Sequence, residues 1–164
     1  MKLNKIEFLE NLNDFIDYSD EYININLQRK IWKLSSIWYY DSLRNFYLSI
    51  GEDGKLNDVK IYHITEILKS YEIIYPKNII KGDAFFESIE YDEDTIQNIE
   101  LEFLEIIVTE NTITCYFEKN IKDIYYGVKI SKKIMLLIDK DNIMKGVLIN
   151  GEFKIENGEF YSTK

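Results

Sequence analysis

The stretch on which the predicted fold depends runs from Asn98 to Glu118, NIELEFLEIIVTENTITCYFE. In its first half, Ile99, Leu101 and Phe103 alternate with polar residues, most of them glutamates. This two-residue period is typical of a half-buried strand. The alternation resumes after the turn-prone residues 109–111. The stretch therefore predicts a β-hairpin with one apolar and one acidic face.

The alternation is interrupted at residues 103–105, where Phe103 and Leu104 are adjacent apolar residues. A β-bulge at this point would restore the two faces of the strand. The apolar face of the hairpin includes Cys115 and needs a cover. We expect other elements of the chain to pack against it.

The residues that follow the hairpin keep the spacing of strands. Segments 124–130, 134–138 and 143–149 are rich in Ile, Leu and Val and are separated by short polar turns. The pair Asn150-Gly151 favours a type I′ hairpin turn, and Asn157-Gly158 indicates another turn. Short turns throughout predict an antiparallel meander.

The N-terminal part of the chain shows a different period. Its apolar residues recur three and four positions apart, which predicts helices over residues 4–19, over residues 27–50, and from residue 57 or 58 onward. The third helix must end before Pro76, because a residue that precedes proline is pushed toward extended geometry.

Helices first and strands second predict an α+β fold, with N-terminal helices packed on one face of a C-terminal antiparallel β-meander. We expect residues 1–164 to form a single domain, helical over about 4–75 and β-rich over about 98–161. No internal repeat or linker is apparent in the sequence.

Composition narrows the classes of partner. The chain has a formal net charge of −9 at pH 7, with 46% hydrophobic and 30% charged residues. Such a charge repels nucleic acid and anionic lipid surfaces and attracts a basic partner, although it also serves solubility. Acidic residues interrupt the N-terminal segment, so we expect no signal peptide and a cytoplasmic protein with no nucleic-acid or membrane partner.

Catalytic signatures are missing from the sequence. It has no phosphate-binding glycine loop, no G-x-S-x-G and no paired cysteines or histidines. His63 and Glu66 supply at most two ligands of a metal site. The lone cysteine, Cys115, is expected to be buried and inert. We therefore expect no enzyme activity, no catalytic residue, no metal and no cofactor.

Acidic and aromatic residues are the remaining candidates for function. One segment carries more aromatic side chains than a single helix face can bury: Trp32, Trp38, Tyr39, Tyr40, Phe46 and Tyr47. These residues serve either the core or an interface, since Trp and Tyr are enriched in binding hot spots. The candidate partner-binding residues are Glu87, Glu90, Asp92, Glu93, Asp94, Glu100, Glu102, Glu105, Tyr116 and Glu118.

In type, the chain resembles bacterial immunity proteins that neutralise a cognate toxin, such as those of contact-dependent growth inhibition. The resemblance rests on acidic clusters at 87–94 and 100–105, the front half predicted as helical, and the terminal segment IMLLIDKDNIMKGVLINGEF (134–153). It implies a basic toxin as partner, for example a nuclease, and neutralisation by occlusion of the toxin's active site.

Two other classes of function stay open at this point. An acidic mimic of nucleic acid would inhibit a DNA-binding enzyme, but it should carry more regularly spaced carboxylates. A small-molecule-binding domain or an enzyme would place tyrosines and carboxylates around a pocket.

Overall fold

The fold is that of a computed structural model. The structure describes residues 1–8, 15–18, 22–27, 36–43, 45–62, 73–87, 96–119, 121, 124–156 and 159–162.

Sixteen β-strands are present in the described residues. The first eight are β1 (Leu3–Glu7), β2 (Phe15–Tyr18), β3 (Tyr22–Asn26), β4 (Ser36–Tyr40), β5 (Phe46–Gly51), β6 (Leu56–Tyr62), β7 (Asn78–Lys81) and β8 (Asp83–Phe86). The other eight are β9 (Ile96–Glu100), β10 (Glu105–Val108), β11 (Thr112–Tyr116), β12 (Tyr126–Lys129), β13 (Ile134–Ile138), β14 (Met144–Asn150), β15 (Phe153–Glu156) and β16 (Glu159–Ser162).

The described part of the chain is all-β and contains no helix, so the predicted α+β class and its N-terminal helices are wrong there. Where the structure describes the predicted helices over 4–19, 27–50 and 57–75, it shows strands and the segments that connect them, and no helix. Their remaining portions, at 9–14, 19, 28–35, 44 and 63–72, lie outside the described residues.

The helices were predicted wrongly because a helical period was assigned to apolar runs that also fit the two-residue period of a strand. Phe46, Leu48 and Ile50 recur every second residue and are all buried, whereas the half-buried Tyr47 lies between them on the opposite face. The same short run also fits a helical stripe. Its β-branched and aromatic residues, in a chain whose one alanine is Ala84, favour strands.

Two six-stranded sheets form the body of the molecule. The N-terminal sheet has the strand order β2-β3-β6-β5-β4-β9, and the C-terminal sheet has the order β10-β11-β14-β13-β12-β7. Strands β1 and β8 pair with each other, as do β15 and β16. All pairs are antiparallel except β4–β9 and β7–β12, which are parallel.

The two sheets are copies of one topology. Each contains a hairpin followed by a three-stranded meander whose last strand pairs with the hairpin, and one parallel strand pairs with the first strand of the meander at the sheet edge. The equivalent strands are β2/β10, β3/β11, β4/β12, β5/β13 and β6/β14. Phe15 and Glu105, which begin the two hairpins, are 90 residues apart (105 − 15). The segment between the repeats supplies the sixth strand of both sheets, as β7 and β9.

The repeats agree in detail as well as in strand order. The register of β5 on β6 shifts between Ser49 and Ile50, and that of β13 on β14 shifts between the equivalent residues Leu137 and Ile138. The turn inside each meander also contains one residue with positive φ. This residue is Gly54 in the first copy, at 77°, and Asn142 in the second, at 62°. The carbonyls of these two residues accept equivalent hydrogen bonds, Phe86 N to Gly54 O at 2.8 Å and Leu3 N to Asn142 O at 2.7 Å.

The duplication escaped detection in the sequence because identity is confined largely to inward-facing positions. Identical buried pairs at equivalent places in the two meanders are Leu48/Leu136, Ile50/Ile138, Val59/Val147 and Ile61/Ile149. Apolar residues at alternating positions occur in most β-proteins, so these pairs do not by themselves indicate a repeat.

The predicted hairpin over 98–118 is confirmed only in its second part. Strands β10 and β11 pair antiparallel through residues 105–116, but β9 joins the other sheet, parallel to β4. The interruption at residues 103–105 is therefore not a bulge within one strand. It marks the crossing from one sheet to the other, and both Leu101 and Leu104 pack against the core there.

The predicted meander is confirmed for three strands. Strands β12, β13 and β14 pair antiparallel in succession, and β13 has the predicted bounds, 134–138. The type I′ turn at Asn150-Gly151 is wrong. Neither residue has positive φ, and β15 pairs with β16, across Asn157-Gly158, and not with β14.

One hydrophobic cluster contains inward residues of both sheets, from Ile23 and Leu48 of the N-terminal sheet to Val128 and Ile149 of the C-terminal sheet. Phe46 of the N-terminal sheet meets Phe117, just after β11, with ring centroids 5.5 Å apart. Because the clusters of the two repeats are continuous, each sheet covers the inner face of the other.

Candidate protein-binding surface

The outer face of the C-terminal sheet is apolar and covered. Met135, Leu137 and Leu148 form a second hydrophobic cluster there, against which Ile73 and Ile74 pack. This cover removes from solvent a face that the sequence had suggested would be polar.

Tyr116 belongs to that covered face and is only 3% exposed, so it is not part of a surface available to a partner. Its hydroxyl oxygen accepts a hydrogen bond from the backbone N–H of Ile74 at 3.1 Å. Burial raises the pKa of Tyr116 above its usual value, while the Ile74 hydrogen bond acts in the opposite direction. The two-residue alternation assigned Tyr116 to the correct face of the sheet. It could not show that the residues near Ile74 cover this face.

Glu118 is exposed and already has a partner within the chain. The Lys145 ammonium contacts the Glu118 carboxylate and lies 3.3 Å from Asp139 Oδ2. These hydrogen bonds raise the pKa of Lys145, with Glu118 as the main cause. Glu87, after β8, likewise pairs with Lys2 at 2.7 Å. Both glutamates are thus partly neutralised, which weakens them as contacts for a basic partner.

The other predicted acidic residues fall into two groups. Glu90, Asp92, Glu93 and Asp94 lie outside the described residues. Glu100, Glu102 and Glu105 lie at the end of β9, in the crossing, and at the start of β10. Glu100 and Glu102 are exposed and Glu105 is half-buried, and none of them forms an ion pair with a described residue.

The outer face of the N-terminal sheet is aromatic and partly open. The Tyr47 ring contacts three others: Trp38 and Tyr40, both at 6.4 Å between centroids, and Tyr62 at 5.6 Å. The Lys60 ammonium lies 5.4 Å from the Trp38 ring centroid, in cation–π geometry. The four aromatic side chains and that of Lys60 are all half-buried. They form a layer of side chains in mutual contact that is partly accessible to solvent, and Trp and Tyr in such a position are frequent in protein interfaces.

Acidic residues adjoin this layer because β9 pairs with β4. In the parallel register, Glu100 is the partner of Tyr40 and Asn98 is the partner of Trp38, so these side chains share the outer face. Both Glu100 and Asn98 are exposed. We call the surface made by Trp38, Tyr40, Asn98 and Glu100, together with the exposed Glu102 two residues after the end of β9, the β4–β9 surface.

The duplication makes a direct comparison possible. Where the N-terminal sheet has Trp38, Tyr47 and Lys60, the C-terminal sheet has Gly127, Met135 and Leu148 at the equivalent positions. Gly127 leaves room for the cover, since a Cβ atom there would lie 2.7 Å from Pro76 Cγ. One repeat thus buries its outer face, and the other presents aromatic and charged groups at the same places.

One polar feature occurs in both repeats and is therefore a property of the fold. The side-chain oxygens Asn24 Oδ1 and Thr114 Oγ1 are buried without a hydrogen-bond partner in the described residues. They occupy equivalent positions in β3 and β11 (114 − 24 = 90). Because the covered sheet shares this feature, we do not assign a ligand to Asn24.

Groups able to perform chemistry are few among the described residues. No cluster of three or more His, Cys, Asp or Glu side chains that could hold a metal occurs in this part of the chain. Cys115 is fully buried, and burial raises the pKa of its thiol. His63 lies outside the described residues. Within the same part, no helix is long and apolar enough to cross a membrane.

Sequence reasoning recognised the aromatic crowding but misjudged its arrangement. Trp38 and Tyr40 alternate with Ile37 and Tyr39, and this alternation would have placed the first pair on one face of a strand. The contribution of Glu100 to the same surface had no local signal, because it depends on pairing between strands about 60 residues apart.

Comparison with known proteins adds no family assignment. No protein-family model matches the chain, and a search of curated protein sequences finds no match.

Proposed function

We propose that this protein is an inhibitor of the immunity type, which binds a basic toxin, such as a nuclease, through the β4–β9 surface. One observation carries the proposal: Glu100 adjoins the Trp38–Tyr40 aromatic layer on a partly exposed face, whereas the equivalent face of the other repeat is apolar and covered. Aromatic anchors beside carboxylates that form no ion pair with a described residue are suited to a basic partner surface.

The proposed mechanism is occlusion, without catalysis by the inhibitor. The net charge of −9 attracts a basic partner over a distance of about one Debye length, about 8 Å at physiological salt. Contact then desolvates the rings of Trp38 and Tyr40, and the neighbouring glutamates pair with lysines or arginines of the toxin. Attraction of this kind raises association rates toward about 10⁸–10⁹ M⁻¹s⁻¹ at low salt.

The same proposal assigns the protein to the cytoplasm, where a nuclease toxin finds its substrate. An acidic chain without paired cysteines is suited to that compartment.

A growth-rescue experiment tests the proposal. The toxic domain encoded by the neighbouring upstream reading frame is expressed in cells with and without this protein, and surviving cells are counted. We expect rescue together with co-purification of the two chains. Toxicity without rescue, or no complex between the purified chains, would contradict the proposal.

A matched pair of charge reversals then tests the surface. Glu102→Lys and Glu110→Lys each replace −1 by +1 at an exposed residue, so both change the net charge from −9 to −7. Glu102 lies in the β4–β9 surface, while Glu110 lies in the turn between β10 and β11. We expect Glu102→Lys to weaken toxin affinity about tenfold or more, and Glu110→Lys less than about threefold. Equal effects would leave only general charge attraction and reject the assigned surface.

A further inference from the structure

Strand β7 is an exposed edge. It forms the end of the C-terminal sheet, paired on one side with β12, and all four of its residues are exposed. Ile79 is 53% exposed and Ile80 is 42% exposed, although consecutive strand residues point to opposite faces. The described residues of the other edges at β9 and β10 include half-buried or buried side chains.

On the side away from β12, the main chain of β7 has no strand partner among the described residues. No hydrogen bond to a strand other than β12 involves β7 in the described part of the chain. An edge of this kind presents N–H and C=O groups in the pattern that an added strand requires.

A groove adjoins the start of this edge. It has a volume of about 770 Å³, and its apolar floor is formed by Ile74, Ile121 and Ile124. Two exposed rings, Tyr75 at 55% and Tyr125 at 62%, line it. This size is within the range of sites that accept a ligand side chain or a small ligand, about 300–1,000 Å³.

The exposed apolar residues of the described part of the chain are concentrated here. Large hydrophobic side chains with high exposure in the described residues are Phe8, Leu43, Tyr75, Ile79, Ile80 and Tyr125. Four of these six line the groove or belong to β7. A concentration of this kind marks an interaction site more than scattered single residues do.

The local charge is opposite to that of the whole chain. Lys77 and Lys140 line the groove, Lys81 ends β7, and none of the three forms an ion pair with a described residue. The two carboxylates of the groove, Glu118 and Asp139, are both engaged by Lys145. A carboxylate that arrives at this edge therefore meets ammonium groups that no described carboxylate neutralises.

We infer that β7 and the groove form a second binding site, which accepts an extended segment of a partner protein by strand addition. The segment carries apolar side chains that cover Ile79 and Ile80, and acidic side chains that pair with Lys77, Lys81 and Lys140. Main-chain hydrogen bonds supply affinity, and the groove selects one side chain of the segment. Lysines at both ends of a short edge strand also oppose open-ended association of identical chains.

Synthetic peptides test this site on the full chain. The probe is a fluorescein-labelled pentapeptide, Glu-Val-Thr-Ile-Glu, and the matched control is Lys-Val-Thr-Ile-Lys. We expect saturable binding of the acidic peptide, measured by fluorescence anisotropy, with a Kd of about 10–100 μM. The basic peptide should bind at least about tenfold more weakly. Absence of saturable binding up to about 1 mM would overturn the inference.

N-methylated probes test the strand geometry. Two versions of the acidic peptide carry N-methyl groups on alternate residues, so that in an added strand only one version loses the N–H groups that face β7. We expect one version to lose binding by about tenfold or more and the other to retain it. Equal behaviour of the two versions would exclude strand addition.

Protein variants locate the site. Ile80→Asp places a carboxylate on β7, and Leu43→Asp makes the same change at a residue 73% exposed in the loop after β4. We expect only Ile80→Asp to reduce peptide binding, by about tenfold. Equal loss in both variants would overturn the location. A dimer of the wild-type chain that Ile80→Asp dissociates would show that a second copy occupies the edge, which also overturns the inference.

Discussion

Two equivalent core leucines test whether the repeats fold as one unit. Leu48 in β5 and Leu136 in β13 occupy the same place in the two copies, and each is 0% exposed. Both belong to the hydrophobic cluster that spans the sheets. The perturbation is Leu→Ala at either position, which removes the same atoms from equivalent, fully buried places in the two sheets.

The expected loss follows from complete burial. Replacement of a fully buried leucine by alanine costs about 2.7–5 kcal/mol, through lost transfer free energy and the cavity left behind. With about 2 kcal/mol per molar urea as the slope, a loss of about 3 kcal/mol moves the unfolding midpoint down by about 1.5 M. In a thermal scan the same loss lowers Tm by about 6–12 °C. Because one core serves both repeats, the two variants should shift one common transition by similar amounts.

The assay uses two probes in the same urea titration. Tryptophan fluorescence reports on the first repeat, since the two tryptophans are Trp32 and Trp38. Far-ultraviolet circular dichroism reports on all strands. We expect the two curves to coincide for the wild-type chain and for both variants. If Leu136→Ala left the fluorescence transition in place while shifting only part of the circular dichroism change, the argument for a shared core would be refuted.

Two further predictions concern buried polar groups. Burial, followed by the Asp41 carboxylate, raises the pKa of Cys115, so the folded state keeps a proton that the unfolded state loses above a pKa of about 8.5. The unfolding free energy should therefore fall as pH rises from about 8 to 9.5, approaching 1.4 kcal/mol per pH unit, and Cys115→Ala should lack this component of the slope in urea titrations. Tyr116→Phe removes the acceptor of the Ile74 N–H and should cost about 1 kcal/mol and accelerate amide exchange at Ile74. Tyr126→Phe, which removes only a bond to the exposed Asn142, should leave that exchange rate unchanged.

The sequence predicted best where only one period fitted. Residues 134–138 are apolar without interruption and are too few for a typical helix, and they form β13 with the expected bounds. Cys115 is buried, as predicted from its place on the apolar face of the alternating pattern. The segment 46–50 fitted both periods, and there the helical choice was wrong. Short apolar runs do not distinguish the two periods, and the scarcity of alanine was the composition signal that favoured strands.

The candidate surface was predictable in its residue types and not in its assembly. Aromatic crowding near Trp38 and the acidic residues from Glu100 onward were both evident in the sequence. Their contact depends on β9 pairing with β4 and not with β10. The pattern of Ile99 and its neighbours specifies a strand with two faces, but it contains no information about which strand lies beside it.

The amino-acid sequence by itself determined which side chains of each strand point inward, because a strand alternates its faces whatever its neighbours are. It also determined the acidic charge and the supply of aromatic residues. Only the tertiary structure decided which faces are covered: Tyr116 is buried because residues near Ile74 fold over its sheet, whereas Trp38, in the other repeat, stays accessible. Covering a face depends on contacts between segments distant in sequence, and these contacts leave no periodic trace in either segment.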